Sequence, residues 1–265
     1  MEISEILQDY EPITLEEMSG IRLMNRTDTK FVTNVAMLKR LLLMAKDAYR
    51  VQEIDGRRIG EYYTVYFDTP DCDMFRVHHN GHTNRQKLRI RSYVDSGLNF
   101  LEVKTKDNHG RTKKKRMTME GFDPLQPQHD IAFRRQDEQY ERYGDFLSEH
   151  LRYDAATLSE QIENRFSRIT LVNKGKTERL TIDLNLRFHH LTTQREVDLT
   201  GIVIIELKRD GLVYSPILAL LRELRIHPHG FSKYCIGSAL TNPSLRTNRF
   251  KKRLRSIEKI RKTNS

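Results

Sequence analysis

The chain has 265 residues, enough for one large domain or two small ones. Lys and Arg number 46 against 36 Asp and Glu, a formal net charge of +10, so the partner is anionic: nucleic acid, anionic lipid or a phosphorylated small molecule. Two cysteines far apart, Cys72 and Cys235, exclude a disulfide framework and a cysteine zinc site, and no apolar run approaches the ~20 residues of a membrane-spanning helix.

The N-terminus, MEISEILQDY, is acidic and lacks the apolar core of a signal peptide, so the expectation is a soluble cytoplasmic protein. Residues 11–24 read as a short amphipathic helix, with Thr14 as N-cap and Glu17 three residues on. Arg26 to Thr33 reads as a strand with Asp28 and Lys30 on one face and Phe31 on the other. Asn34 caps a helix over VAMLKRLLLMAKD, apolar on one side and basic on the other. Tyr49 to Ile54 is a strand that runs into Asp55-Gly56, a hairpin signal. Residues 61–68 are a β-branched and aromatic strand, stopped at Thr69-Pro70. Residues 71–85 read mostly as loop. His78, His79 and His82 lie there without Cys or carboxylate partners at ligand spacing, which favours surface histidines over a metal site.

The stretch Gln86 to Arg116 organises the rest. It reads as three consecutive strands, each with one apolar and one cationic face. Lys87, Arg89 and Arg91 alternate with Leu88 and Ile90. Glu102, Lys104 and Lys106 alternate with Leu101 and Val103. Lys114 and Arg116 stand against Met117 and Met119. Cationic faces aligned in this way make a site for a polyanion once they point at one another.

A proline-bearing connection, residues 123–130, leads to a helical pattern from Ile131 to about Tyr153. Asn164 to Val172 returns to strand. Residues 178–188 alternate Leu180, Ile182, Leu184 and Leu186 with Arg179, Thr181, Asp183, Asn185 and Arg187. Residues 202–208 set Glu206 and Lys208 opposite Val203, Ile205 and Leu207. A helix follows from about Pro216 to Leu224, and another starts at Ser232 and carries Lys233. The last stretch is basic, a helix or frayed tail; a solvated tail is the commoner outcome for such a run.

About eight strands without regular crossover helices favour antiparallel pairing. The expected fold is α+β: an antiparallel β-barrel tunnel with a polar, cationic lumen and helices around it. Asp28, Glu102, Asp183 and Glu206 share the strand faces of the cations. Phosphate chains arrive with Mg²⁺ or Mn²⁺ held by one or two carboxylates plus substrate oxygens. From alternation alone two readings stand: a phosphate-binding lumen, or a solvated sheet face whose acids pair with neighbouring Lys and Arg.

Nine motifs, in order, carry a family resemblance: TDTKFV, YFDTPD at 66–71, KLRIRSY at 87–93, LEVKTK at 101–106, KKR at 114–116, NRF at 164–166, RLTIDLNL at 179–186, IIELK at 204–208 and FSKY at 231–234. From about residue 20 to residue 241 the chain resembles the VTC domain, the polyphosphate polymerase module of the vacuolar transporter chaperone complex, in the triphosphate tunnel (CYTH-like) superfamily. The resemblance implies one tunnel domain over residues 1–245, followed by the basic C-terminal stretch 246–265. It implies phosphate-binding roles for Lys30, Arg89, Arg91, Lys104, Lys114, Arg165, Arg179, Lys208 and Lys233. Arg116 shares the inward parity of Lys114. Among these, Lys30, Arg89, Arg91, Lys104 and Lys208, with Glu206, are the expected catalytic set. Glu206 matches the family's metal-binding glutamate, with Glu102 or Asp183 as helper. The superfamily's Glu-x-Glu-x-Lys motif reads Arg26-Thr27-Asp28-Thr29-Lys30 here, with one acid lost and the other shortened. That departure argues against a simple inorganic triphosphatase.

The implied reaction is metal-dependent (Mn or Mg) transfer of the ATP γ-phosphoryl group to a polyphosphate chain. The implied ligands are ATP and polyphosphate or another triphosphate, and any membrane partner is a separate protein. The competing readings are a hydrolase of tripolyphosphate or nucleoside triphosphate, a non-catalytic polyphosphate-binding module, and, ranked last, nucleic-acid binding, for which no stacking or groove-reading motif is present.

Overall fold

The structure, a computed structural model, describes residues 1–19, 26–126, 138–211 and 213–262. Its strands are β1 (Glu11–Ile13), β2 (Arg26–Asn34), β3 (Tyr49–Gln52), β4 (Gly60–Asp68), β5 (Arg85–Tyr93), β6 (Leu98–Lys106), β7 (Thr112–Thr118), β8 (Ser159–Asn173), β9 (Glu178–His190), β10 (Glu196–Leu199) and β11 (Ile202–Asp210). Its helices are α1 (Ile3–Gln8), α2 (Leu15–Ser19), α3 (Val35–Ala45), α4 (Asp73–His79), α5 (Glu138–His150), α6 (Pro216–Glu223), α7 (Lys233–Thr241) and α8 (Lys251–Lys262).

Eight strands form one antiparallel path in the order β2-β11-β9-β8-β4-β5-β6-β7. The path curls into a half-barrel, as the alternating strands require of a sheet with one face lined by side chains of its own. The long strand β8 changes partner along its length, pairing with β4 over residues 159–168 and with β3 over 171–173. The remaining short strands hang on this path: β10 on β9, and β1 in parallel on β3.

The convex side is covered by helices. Asn34 accepts a hydrogen bond from the Met37 amide at 2.8 Å and starts α3, as its position before an apolar-periodic run requires. This helix buries Leu38, Leu41, Leu42 and Ala45 against Phe31, Ile182 and Ile205. Each such leucine contributes about 1.5–3 kcal/mol through burial. On the other wall α5 packs against β7, and its Tyr143 and Leu147, with Leu151 just past its end, share a core with Leu88, Ile90, Leu101 and Val103.

The concave side is divided. Toward one end of β2, β11, β9 and β8 it carries Val32, Ile202, Ile204, Leu186, Phe188 and Ile162, all buried. Helix α7 fills this end. Its Gly237 lies so close that a Cβ would stand 2.5 Å from Phe188 and 2.9 Å from Ile162. Helix α8 lies alongside, against β2 and β11, with Ile257 buried and Leu254 and Ile260 packed on the same core. The basic residues of 251–262 therefore belong to a helix docked on the barrel.

Several sequence expectations are redrawn. Residues 11–13 are strand, and the capping pair Thr14 and Glu17 starts α2 at Leu15; residues 20–24 lie outside the described residues. The expected loop 71–85 contains α4. Its N-cap is Cys72 with φ 54°, and the donors of its first turn are met by Asp68, which accepts from the Met74 and Phe75 amides at 2.8 and 2.9 Å. The Asp55-Gly56 turn forms, with φ 49° and 75°, but it closes only the single bridge Ile54–Arg57. Beyond that bridge β3 leaves for β8 instead of pairing with β4. The expected helix from Ile131 is described from Glu138; residues 131–137 lie outside the described residues.

The most consequential change is in β9. Its alternation holds to Asp183 and breaks at Asn185, whose φ is 56°, where the β8–β9 register shifts between Arg165 and Ser167. One inserted residue reverses the parity of everything beyond it. Leu186 and Phe188 thereby turn to the concave side, while Arg187 turns to the convex side opposite Arg165.

Candidate active site

The uncovered half of the concave face is lined by charge. Paired residues of an antiparallel ladder project to the same side, so the ladder fixes which side chains share the lumen. Lys30 stands opposite Glu206, which stands opposite Thr181. Arg168 stands opposite Asp183. Tyr66, Arg89, Glu102 and Arg116 form one row across β4, β5, β6 and β7, and Lys87, Lys104 and Lys114 form the next.

Three carboxylates organise the cations, and each is shared by two. Glu206 lies 2.9 Å from Lys208 and 3.7 Å from Lys30. Asp183 takes two bonds from Arg168, at 2.6 and 3.0 Å, and a third from Lys233 at the start of α7. Glu102 accepts from Arg89 Nε at 2.7 Å and from Lys114 Nζ at 3.0 Å. Burial pulls the Glu102 carboxyl up, but Arg89, Arg91 and Lys114 outweigh it and hold the group at about 2. Burial likewise opposes ionisation of Asp183 and Glu206, and in each the adjacent cations win and keep the carboxylate well below its ordinary range. With its cations protonated each triad carries one more positive than negative charge, although burial lowers Lys208 and brings Lys233 down to about 7.

Three further cations have no carboxylate of their own. Lys87 donates to Ser232 Oγ at 2.8 Å, and burial, with Lys30 and Arg85 nearby, lowers it to about 8. Lys104 reaches into the open lumen, where water meets it between protein walls. That enclosure, with Lys30 and Arg89 beside it, brings it down to about 7. Arg91 is 8% exposed, and its Nε has no hydrogen-bond partner among the described residues. Burial and the neighbouring guanidiniums Arg89 and Arg168 all push its proton off.

The expected site residues divide as follows. Lys30, Arg89, Arg91, Lys104, Lys114, Lys208, Lys233, Glu102 and Glu206 converge on the lumen. Arg179 faces the same way, one rung beyond Thr181 and opposite Lys208. Arg116 keeps the parity of Lys114 but is exposed, with its guanidinium 4.5 Å from the Phe100 ring centroid. Arg165 does not reach the lumen. It lies on the convex side, over the Tyr63 ring at 4.6 Å, and donates to the Pro124 carbonyl. Arg168 takes the inward place instead. The family resemblance implied Arg165; Arg168 has the opposite parity, and its pairing with Asp183 shows that it is the one that faces in. Of the three histidines expected at the surface, His82 is exposed, but His78 and His79 are packed into the structure. His78 Nδ1 lies 3.0 Å from Cys235 Sγ, and burial pushes His78 down to about 2. His79 accepts from the Arg249 amide.

A metal at this site has a narrow donor set. Both oxygens of Glu102 are engaged by Arg89 and Lys114, and the side chain has no solvent exposure. Glu206 remains 19% exposed on its side chain, between two lysines. Among the described residues no group of three or more His, Cys, Asp or Glu is placed to hold a metal. One carboxylate fits Mg²⁺ or Mn²⁺ only where phosphate oxygens and water supply the other ligands.

A family model described as the VTC domain matches residues 25–242. Among solved structures, one named a putative adenylate cyclase from Bacillus halodurans is 16% identical, with 79% of this chain and 96% of that one covered and a TM-score of 0.49. A Hippeastrum protein, named as an adenylyl cyclase and described as having a dominant triphosphatase activity, is 16% identical over 83% of this chain and 98% of its own, with a TM-score of 0.47. The PH1819 protein of Pyrococcus horikoshii is 13% identical over 81% and 98%, with a TM-score of 0.41. Comparison with curated proteins returned no match. No helix of the described residues is long and apolar enough to cross a membrane.

Proposed function

The chain belongs to the VTC domain family, which acts on polyphosphate and triphosphate, and from that premise we propose that it transfers the γ-phosphoryl group of ATP to the end of a polyphosphate chain. The observation that carries this reading is Arg91, a buried guanidinium pressed by Arg89 and Arg168, its Nε without a partner among the described residues and its nearest acid, Glu102, already bonded to Arg89 and Lys114. A buried cation in that position costs free energy until an anion joins it. Lys104 and Lys87 add to the same deficit, and a chain of phosphates is long enough to meet all three.

In the proposed reaction a terminal phosphate oxygen of the acceptor chain forms a bond to the γ-phosphorus. The bond from that phosphorus to the β,γ-bridging oxygen breaks, and ADP leaves. No protein nucleophile is needed; the work is positioning and electrostatic stabilisation. Arg89 and Arg91 hold equatorial oxygens from β5. Lys30, Lys208 and Lys233 hold the phosphates from the opposite wall. Lys104 stands between the walls, where charge accumulates on the transferred group. Glu206 would hold a divalent ion together with phosphate oxygens, and such an ion would supply positive charge to the phosphoryl oxygens.

The test is purified protein with ATP and Mn²⁺, wild type beside Glu206→Gln and Arg91→Met, with products resolved on a gel stained for polyphosphate and free phosphate assayed in parallel. A ladder of long polyanions in the wild type, lost in both variants, is expected. Free phosphate without a ladder would instead support triphosphate hydrolysis. That second reading has an observation in its favour: α7 fills one end of the half-barrel, which suits a short substrate entering and leaving by one mouth.

A further inference from the structure

The motif YFDTPD contributes no side chain to the phosphate scheme, yet its Asp68 is fully buried and heavily engaged. One oxygen accepts from the Thr69 and Met74 amides, at 2.8 Å each. The other accepts from the Phe75 amide at 2.9 Å and from the hydroxyl of Tyr234. Tyr234 is the residue after Lys233, in the first turn of α7. Its ring is 2% exposed, 5.3 Å from that of Tyr66 and edge-on to Phe75.

We propose that Asp68, acting through Tyr234, is a positioning residue that fixes where the Lys233 ammonium stands in the lumen. The inference rests on the reading of the lumen as a phosphate site. Successive helical residues project about 100° apart. A first turn whose Tyr234 is locked therefore has one direction left for Lys233. That direction passes 4.2 Å from the centroid of the Phe166 ring and ends at Asp183. Without the lock, α7 is held at its start by Ser232, which accepts from Lys87 and from the Cys235 amide. Those two bonds hold the backbone start of the helix, and neither acts on the Tyr234 or Lys233 side chain. Asp68 also supplies the first-turn acceptors of α4, so the end of β4, the start of α4 and the start of α7 meet at one carboxylate. The motif thus serves the site from behind: it orients a phosphate ligand that lies on another element.

The test needs a readout that loss of packing alone would not move. Amines in the intact protein are acylated briefly, and the extents at Lys233 and Lys208, lumen lysines of similar partial exposure, are compared by mass spectrometry. Tyr234→Phe removes one hydroxyl and keeps the ring, and Asp68→Asn is the second variant. The expected result is a rise of about fivefold in Lys233 labelling relative to Lys208 in Tyr234→Phe. An unchanged ratio, or equal rises at both lysines, overturns the proposal. Binding of inorganic tripolyphosphate by calorimetry gives the second readout. Tyr234→Phe should weaken it about fivefold in the wild type and cause no further loss in Lys233→Ala. Additive losses overturn the proposal. Failure of the wild type to bind tripolyphosphate while the labelling ratio still rises sinks the phosphate reading of the lumen and upholds the anchor.

Discussion

The two halves of the concave face use the same strands for opposite purposes. Along β2 the inward residues run from Lys30 to Val32, and along β11 from Lys208 and Glu206 to Ile204 and Ile202. Along β9 they run from Thr181 and Asp183 to Phe188. Where α7 and α8 cover the face it is apolar and close-packed. Where it opens to solvent it holds shared carboxylates with two cations each. An ordinary wetted sheet would mix charges in near balance, and here the sign is biased rung after rung. The difference teaches that the charged half is a lining whose excess of positive charge the chain itself does not offset, while the apolar half is finished by the chain itself.

The comparison can be broken first at Asp183, where the two halves touch. Asp183→Ala leaves Arg168 and Lys233 buried beside each other with no acid between them. A loss of about 3–5 kcal/mol in unfolding free energy is expected by urea titration. The apolar half is tested by Gly237→Ala, which drives a methyl into Phe188 and should cost about 1–3 kcal/mol in the same assay. The sharpest contrast is Arg91→Met. Burial and the neighbouring Arg89 and Arg168 outweigh its attraction to Glu102, which keeps Arg89 and Lys114, so its removal should leave the fold about as stable. Tripolyphosphate affinity should fall about tenfold to a hundredfold, read by calorimetry. A variant that unfolded more easily would show that Arg91 is satisfied internally.

The smallest effect is the pH dependence. With Lys104 at about 7 in the folded protein, the unfolded chain binds the extra proton between pH 7 and about 10.4. The contribution of this group to stability therefore rises with pH across that window and is least below it. Ligand binding should do the reverse. An anion draws the proton back onto Lys104, so affinity falls as pH climbs above 7, by at most about tenfold per pH unit from this group. Affinity flat from pH 6 to 9 would remove Lys104 from the phosphate set.

Much of this division was legible in the residues. β5, β6 and β11 alternate without interruption, so Arg89, Glu102, Lys104 and Glu206 could be assigned to one face before any fold was known. Legibility ended where local rules stop. The positive φ at Asn185 inserts a residue into β9 and turns Leu186 and Phe188 to the concave side, which alternation read in the opposite sense. Arg165 and Arg168 were indistinguishable by pattern, because facing inward is a property of the pairing. α4 was hidden because its capping acceptor, Asp68, stands at the end of a strand and not at the N-cap position itself. The filling of one end by α7 depends on a single glycine meeting two residues far away in the chain, and short-range periodicity carries no trace of it.

Lys30 takes its place in a strand whose only partner on the main path is β11, and its ammonium reaches the carbonyl of Phe231, 201 residues further along. During synthesis at about 5–20 residues per second, β2 waits roughly 10–40 seconds for the segment that seats it. The lumen is therefore complete only once β11 and the start of α7 have been made. A growing chain with β4 to β8 already zipped still has no complete site.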